Sequence, residues 1–135
     1  MRGRRSDLSA GGAAAEFVIV AAMLFTTFFA IVEFGLMMNA KILVTTAARE
    51  AARKAAVDGG ASSAAVTRAL ECLRMGIVAA SDAEVEIRPR EAAYGSTITV
   101  RVTCGYEPLT PVIRAISGGR VTLATEVVTR SEKVR

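Results

Sequence analysis

Between Phe17 and Val32 the chain carries no charged residue, and apolar side chains follow one another instead of alternating. At ~1.5 Å per residue this run makes a helix of ~24 Å, just short of a bilayer core. Adding Ala13 to Ala15 on one side and Phe34 to Met38 on the other completes a span, so the segment predicts a transmembrane helix over about 13–37. Extending back to Leu8, the only charge is Glu16. Beyond Met38 the pattern becomes amphipathic and alanine-rich, with Ala51, Ala52, Ala55 and Ala56 as strong helix formers. Glu50 and Lys54 stand in the favourable i,i+4 order. Gly35 does not interrupt a membrane helix, and Asp58-Gly59-Gly60 reads as its stop. One rod over residues 12–57, ~69 Å long, is therefore expected, its first half membrane-length and its second half in water.

The remaining pattern, over 58–135, changes period twice. Ser62 or Ser63 caps a predicted helix running to about Ala80, with Val66, Leu70, Leu73 and Ile77 on one face. Val85 and Ile87 alternate with Glu84, Glu86 and Arg88. From Thr97 to Cys104, Ile98, Val100, Val102 and Cys104 fall on one side and Thr97, Thr99, Arg101 and Thr103 on the other. Thr110-Pro111 opens a short helix that ends at Gly118-Gly119. A last strand from Arg120 to about Thr129 puts Val121, Leu123 and Val127 together. The expected fold class is α+β: a long N-terminal helix, then a small domain with a helix and about three antiparallel strands.

Charge changes this picture little. The formal net charge is +4, and Arg2, Arg4 and Arg5 against Asp7 supply half of it. The rest is nearly balanced, which leaves no concentrated basic surface and argues against nucleic acid as a partner. With no His, the commonest general base and metal ligand is missing. Neither a phosphate-loop nor a nucleophile-elbow motif occurs. Glu84 and Glu86 share a strand face with Arg88, where solvated charges are the ordinary case. No enzyme, cofactor, metal site or small-molecule substrate is expected. Cys104 lies on the apolar face of its strand and Cys72 toward the edge of its helix's apolar face. Packed together they permit a disulfide closing about 30 residues, worth ~3 kcal/mol; two buried thiols are the alternative.

The stretch Gly11-Gly12-Ala13-Ala14-Ala15-Glu16-Phe17 departs from a secretory signal, because its small residues precede the apolar run. A basic leader, a glycine, four small residues and then Glu-Phe opening an apolar helix resembles type IV prepilins. The alanine-rich form resembles their tight-adherence (Flp) subgroup. Val32-Glu33-Phe34-Gly35 and Ala47-Ala48-Arg49-Glu50-Ala51-Ala52-Arg53 resemble the TadE-like pseudopilins of that system. Major Flp pilins are much shorter, so the α+β tail points to a minor subunit.

That resemblance implies residues 1–11 as a cytoplasmic leader, cut by a prepilin peptidase after Gly11. Gly12 becomes the new N-terminus and Glu16 the fifth mature residue; a cut after Gly12 would make Glu16 the fourth. A carboxylate inside a bilayer costs on the order of 3 kcal/mol unless paired. The ammonium freed at Gly12, one turn away, is the expected partner of Glu16, with Glu16 and Phe17 setting assembly register. The alternative leaves Glu16 at headgroup level, marking only the helix start. Arg2, Arg4 and Arg5 keep the N-terminus cytoplasmic and the domain extracytoplasmic at the inner membrane. Implied partners are the prepilin peptidase, other pilins or pseudopilins, the inner-membrane pilus assembly platform and the lipid bilayer. The residues leave open whether the protein enters the pilus. Ala47, Ala48, Ala51 and Ala55 form a seam for close helix approach, either to another subunit or to the chain's own domain. Glu33 is either interfacial or paired with a basic residue on a neighbour. The competing reading is an unprocessed single-pass anchor and interaction subunit of an envelope secretion complex.

Overall fold

The computed structural model describes residues 4–76 and 82–134, with side chains from Gly11 onward except Val112. Helix α1 runs unbroken over Arg4–Asp58, so it starts eight residues before the sequence pattern placed it. Nothing between Arg4 and Gly12 breaks a helix: no proline occurs there, and a glycine costs only about 1 kcal/mol against alanine. The helix stops where expected. The amides of Gly59 and Gly60 both donate to the Ala55 carbonyl, at 2.9 Å each. Gly60 then pairs antiparallel with Glu91 at a backbone φ of 130°, where a Cβ would strike the Arg90 carbonyl.

Helix α2 covers Ser63–Arg74. Ser62 is its N-cap, accepting from the Ala65 amide at 3.1 Å. The expected continuation to Ala80, with Ile77, lies outside the described residues. Gly76, just past the helix, sits against the Leu43 side chain of α1, whose tip would have to shift to admit a Cβ. Strands β1 (Glu84–Arg88), β2 (Thr97–Tyr106) and β3 (Val121–Arg130) form one antiparallel sheet in the order β1-β2-β3, and α3 (Pro111–Ser117) lies between β2 and β3. Strand β2 runs two residues beyond the expected end. Its alternation continues to Tyr106, which is buried on the same face as Cys104.

The core is one layer of helix against one face of sheet. Alternate β2 residues from Ile98 to Tyr106 meet Val44, Ala47, Ala48 and Ala51 of α1 and Ala69, Cys72 and Leu73 of α2. Ala47, Ala48, Ala51 and Ala55 are all fully buried. The seam thus packs against the chain's own domain. Small side chains let α1 lie close to both α2 and the sheet, where a larger residue would hold them apart.

Two other sequence expectations resolve differently. Lys54 pairs with Asp58 at 3.1 Å rather than with Glu50, which instead meets Arg68 of α2 at 3.6 Å. Asp58 also accepts from the Ser62 hydroxyl at 2.5 Å, and this bond, with Lys54 alongside, holds its carboxyl below the ordinary range. Cys72 and Cys104 are both buried thiols rather than a disulfide, and burial is the main cause pushing the Cys104 thiol up. On the outer sheet face Arg101 pairs across the strands with Glu126 at 2.8 Å and Arg88 pairs with Glu86, so the strand charges are ion pairs in water.

Candidate functional site

Helix α1 has two halves with opposite surroundings. From Ala40 onward one face is buried in the domain, whereas Phe17, Met23, Leu24, Phe25 and Phe28 all stand exposed. The segment from Gly11 is long and apolar enough to cross a membrane, and only 6% of its most apolar window is buried. The core helix of a soluble protein would be mostly buried. This one has little protein cover and needs lipid or another chain around most of it. A single apolar helix near the N-terminus fits a single-pass membrane protein.

Gly11 and Gly12 lie within the helix with open space around both. Glu16 and Phe17 are exposed on the same stretch. Among the described residues Glu16 has no ion-pair partner within the chain. Thr26 and Thr27 return their hydroxyls to the carbonyls of Ala22 and Met23, at 2.8 and 2.9 Å, which hides both polar groups from an apolar surrounding.

Glu33 closes the apolar run, and its carboxylate is buried, at 3% exposure. Oε1 accepts from the Tyr106 hydroxyl at 2.6 Å and from the Leu109 amide at 3.2 Å. Oε2 accepts from the Thr110 amide and the Thr110 hydroxyl, both at 2.9 Å. Four donors thus converge on one carboxylate, which lets a charge sit at the edge of the apolar segment. Thr110 stands at the N-cap of α3 but makes no capping bond, because its hydroxyl serves Glu33. Tyr106 responds in kind: burial, and donation to Glu33, push its phenol up to about 12. Neither sequence reading of Glu33 included these partners. Thr110-Pro111 and the extra alternation of β2 were the available signals, but nothing local joins them to position 33.

Two turns further along α1, Lys41 makes a second tie. Its ammonium donates to the Ala124 carbonyl and, at 3.0 Å, to the Thr125 hydroxyl. Thr45 adds a 3.3 Å contact to the same hydroxyl. Glu33 therefore holds the end of β2 and the start of α3, Lys41 holds β3, and the alanine seam fills the space beyond. The arrangement makes α1 and the domain a continuous body from Glu33 to Asp58, with a bare apolar rod leading away from it. The described residues contain no cluster of three metal-ligating side chains.

The family model for TadE-like protein matches residues 11–53, from the glycine pair through the exposed apolar half and into the alanine seam. No curated protein and no solved structure matches the chain. The matched segment covers the apolar helix and its first contacts with the domain, while the sheet lies outside it. Over residues 11–53 the chain is similar to the TadE-like family, a match consistent with a TadE-like protein of the Tad (Flp) pilus system.

Proposed function

We propose that the protein is a minor pilin or pseudopilin that acts in assembly of a Tad/Flp-type pilus, after a prepilin peptidase removes residues 1–11. The observation that carries this reading is the exposed apolar half of α1, which lies within the family match over residues 11–53. A helix with bare apolar sides stores equally well in a bilayer and among the helices of a filament, because both surroundings exclude water. Exchange between them is what an assembling subunit requires.

Glu16 is the register element in this reading. In the membrane its carboxylate is costly unless paired. The ammonium created at Gly12 by cleavage, on the same or a neighbouring subunit, supplies the pair. The inner-membrane assembly platform and other pilins are the partners. The N-terminus lies in the cytoplasm and the domain outside, in keeping with Arg2, Arg4 and Arg5.

Intact mass of the protein from cells with and without the prepilin peptidase tests the reading. Loss of residues 1–11 only where the peptidase is present is the expected result. A full-length chain in both overturns it and favours a permanent membrane anchor serving an envelope complex. Glu16→Gln is expected to leave membrane insertion intact and impair pilus assembly.

A further inference from the structure

The turn Leu109-Thr110 and the start of helix α3 lie alongside the apolar half of α1. Between them lies a groove of about 580 Å³. Phe25, Phe29 and Leu36 form its α1 wall, and Leu109, Pro111 and Ile113 form the other. The Glu33 latch fixes this placement, since its carboxylate grips the backbone just before α3. Leu109 is 63% exposed and Ile116 is 79% exposed, both large and apolar. Arg114, between Ile113 and Ile116, donates to the Pro108 carbonyl at 3.2 Å and, among the described residues, forms no ion pair.

The position along α1 decides what surrounds this element. A bilayer core takes ~20 helical residues, and counting from Phe17 that span ends at Leu36. The groove runs alongside Ala22 to Leu36, within that span. Glu33, which grips Leu109 and Thr110, lies near the outer end of that span, so any placement of α1 that covers Phe25, Phe28 and Phe29 with lipid brings the start of α3 to the edge of the lipid. We propose that α3 and the turn before it are seated in the membrane interface, with lipid acyl chains filling the groove. Leu109 and Ile116 face lipid, and Arg114 reaches outward to a headgroup phosphate. Lipid is the occupant because the groove is continuous with the membrane-facing side of α1. The domain then rides on the bilayer as a second contact, with Glu33 shielded beneath it.

The inference rests on α1 spanning the membrane, and its test separates the two. The chain contains no Trp, so a single introduced indole reports its own surroundings. Three full-length variants, Ile116→Trp, Phe25→Trp and Tyr94→Trp, are reconstituted in phosphatidylcholine vesicles with or without bromine on the acyl chains. Tyr94 is exposed and lies beside Gly59 and Lys133, at the far end of the domain. An interfacial segment buries its apolar face ~5–10 Å into the lipid, so Ile116→Trp and Phe25→Trp are each expected to lose about half their emission to brominated lipid. Tyr94→Trp is expected to respond only to aqueous acrylamide. Leu109→Trp repeats the test at a second site, and protease resistance of the domain verifies each fold. If Phe25→Trp is quenched by lipid while Ile116→Trp and Leu109→Trp answer only to acrylamide, α3 lies in water and the inference is wrong. Shielding of Ile116→Trp from both quenchers means that a protein covers the groove, which also overturns it. Insensitivity of Phe25→Trp to lipid removes the span, and the inference with it.

Discussion

Replacing Glu33 by Ala is expected to loosen the domain from the apolar helix far more than any other single surface-polar change. The carboxylate accepts four hydrogen bonds, of which the one from Tyr106, at 2.6 Å, is buried. A hydrogen bond to a charged group contributes roughly 1.5–3 kcal/mol, but the four share one acceptor and do not add. After the substitution, water reaches the part-buried Leu109 and Thr110 donors more easily than the Tyr106 hydroxyl. Leaving that hydroxyl without an acceptor costs ~1–3 kcal/mol by itself. The total expected for Glu33→Ala is therefore about 3–5 kcal/mol, against a whole-domain stability of ~5–15 kcal/mol. Glu33→Gln keeps one acceptor oxygen but turns an amide donor toward two other donors, for ~2 kcal/mol. The assay is pulse proteolysis of the full chain in detergent micelles across a urea series, since cleavage reports the unfolded fraction of the domain. A double-mutant cycle with Tyr106→Phe isolates the buried bond, with a coupling of ~1.5–2 kcal/mol expected. If Glu33→Gln leaves the midpoint unchanged and the cycle shows no coupling, the carboxylate is solvated and the latch does not exist.

Three further outcomes follow from the same contacts. In a Tyr94→Phe background the Tyr106 phenol should titrate near 12, seen by phenolate absorbance. Its pKa is raised on folding, so the stability it contributes is full below the ordinary value of ~10 and fades as pH rises toward 12; titration at the ordinary value counts against burial of the hydroxyl. Asp58 has the opposite sign: its lowered pKa adds stability above the ordinary Asp value of ~3.9, lost as pH falls through the folded value. Ser62→Ala should weaken that acid dependence in a proteolysis profile, and an identical profile would dismiss the Ser62 bond as its cause. Ala51→Leu should destabilise the domain by ~1–3 kcal/mol through overpacking, because Ala51 is fully buried between α1 and its neighbours. Equal stability of that variant would mean the seam has room to spare.

Much of this architecture was legible in one dimension because its causes are local. An apolar run without charges makes a membrane-length helix whatever follows it. Alternation of period two marks β2 and β3, the glycine pair after Asp58 stops α1, and Ser62 opens α2 through its own side chain. Even the upstream start of α1 violates no local rule; the polarity of residues 4–10 simply concealed an absence of breakers. The family likeness of the N-terminal segment belongs here too, since it rests on consecutive residues.

The tie that makes the helix and the domain one body depends on distance instead. Glu33 meets Tyr106, Leu109 and Thr110 across separations of 73 to 77 residues. Only the packed fold decides which donors arrive there, and the low cost of a charge at that point follows from their arrival. The alanine seam shows the same dependence: small residues permit close approach, but folding chooses the surface that approaches. Lys54 likewise had two acids within reach, and it meets Asp58 while α2 brings Arg68 to Glu50. Hydrophobic period and turn chemistry act between neighbours along the chain, whereas satisfying a buried charge requires groups that only tertiary packing collects.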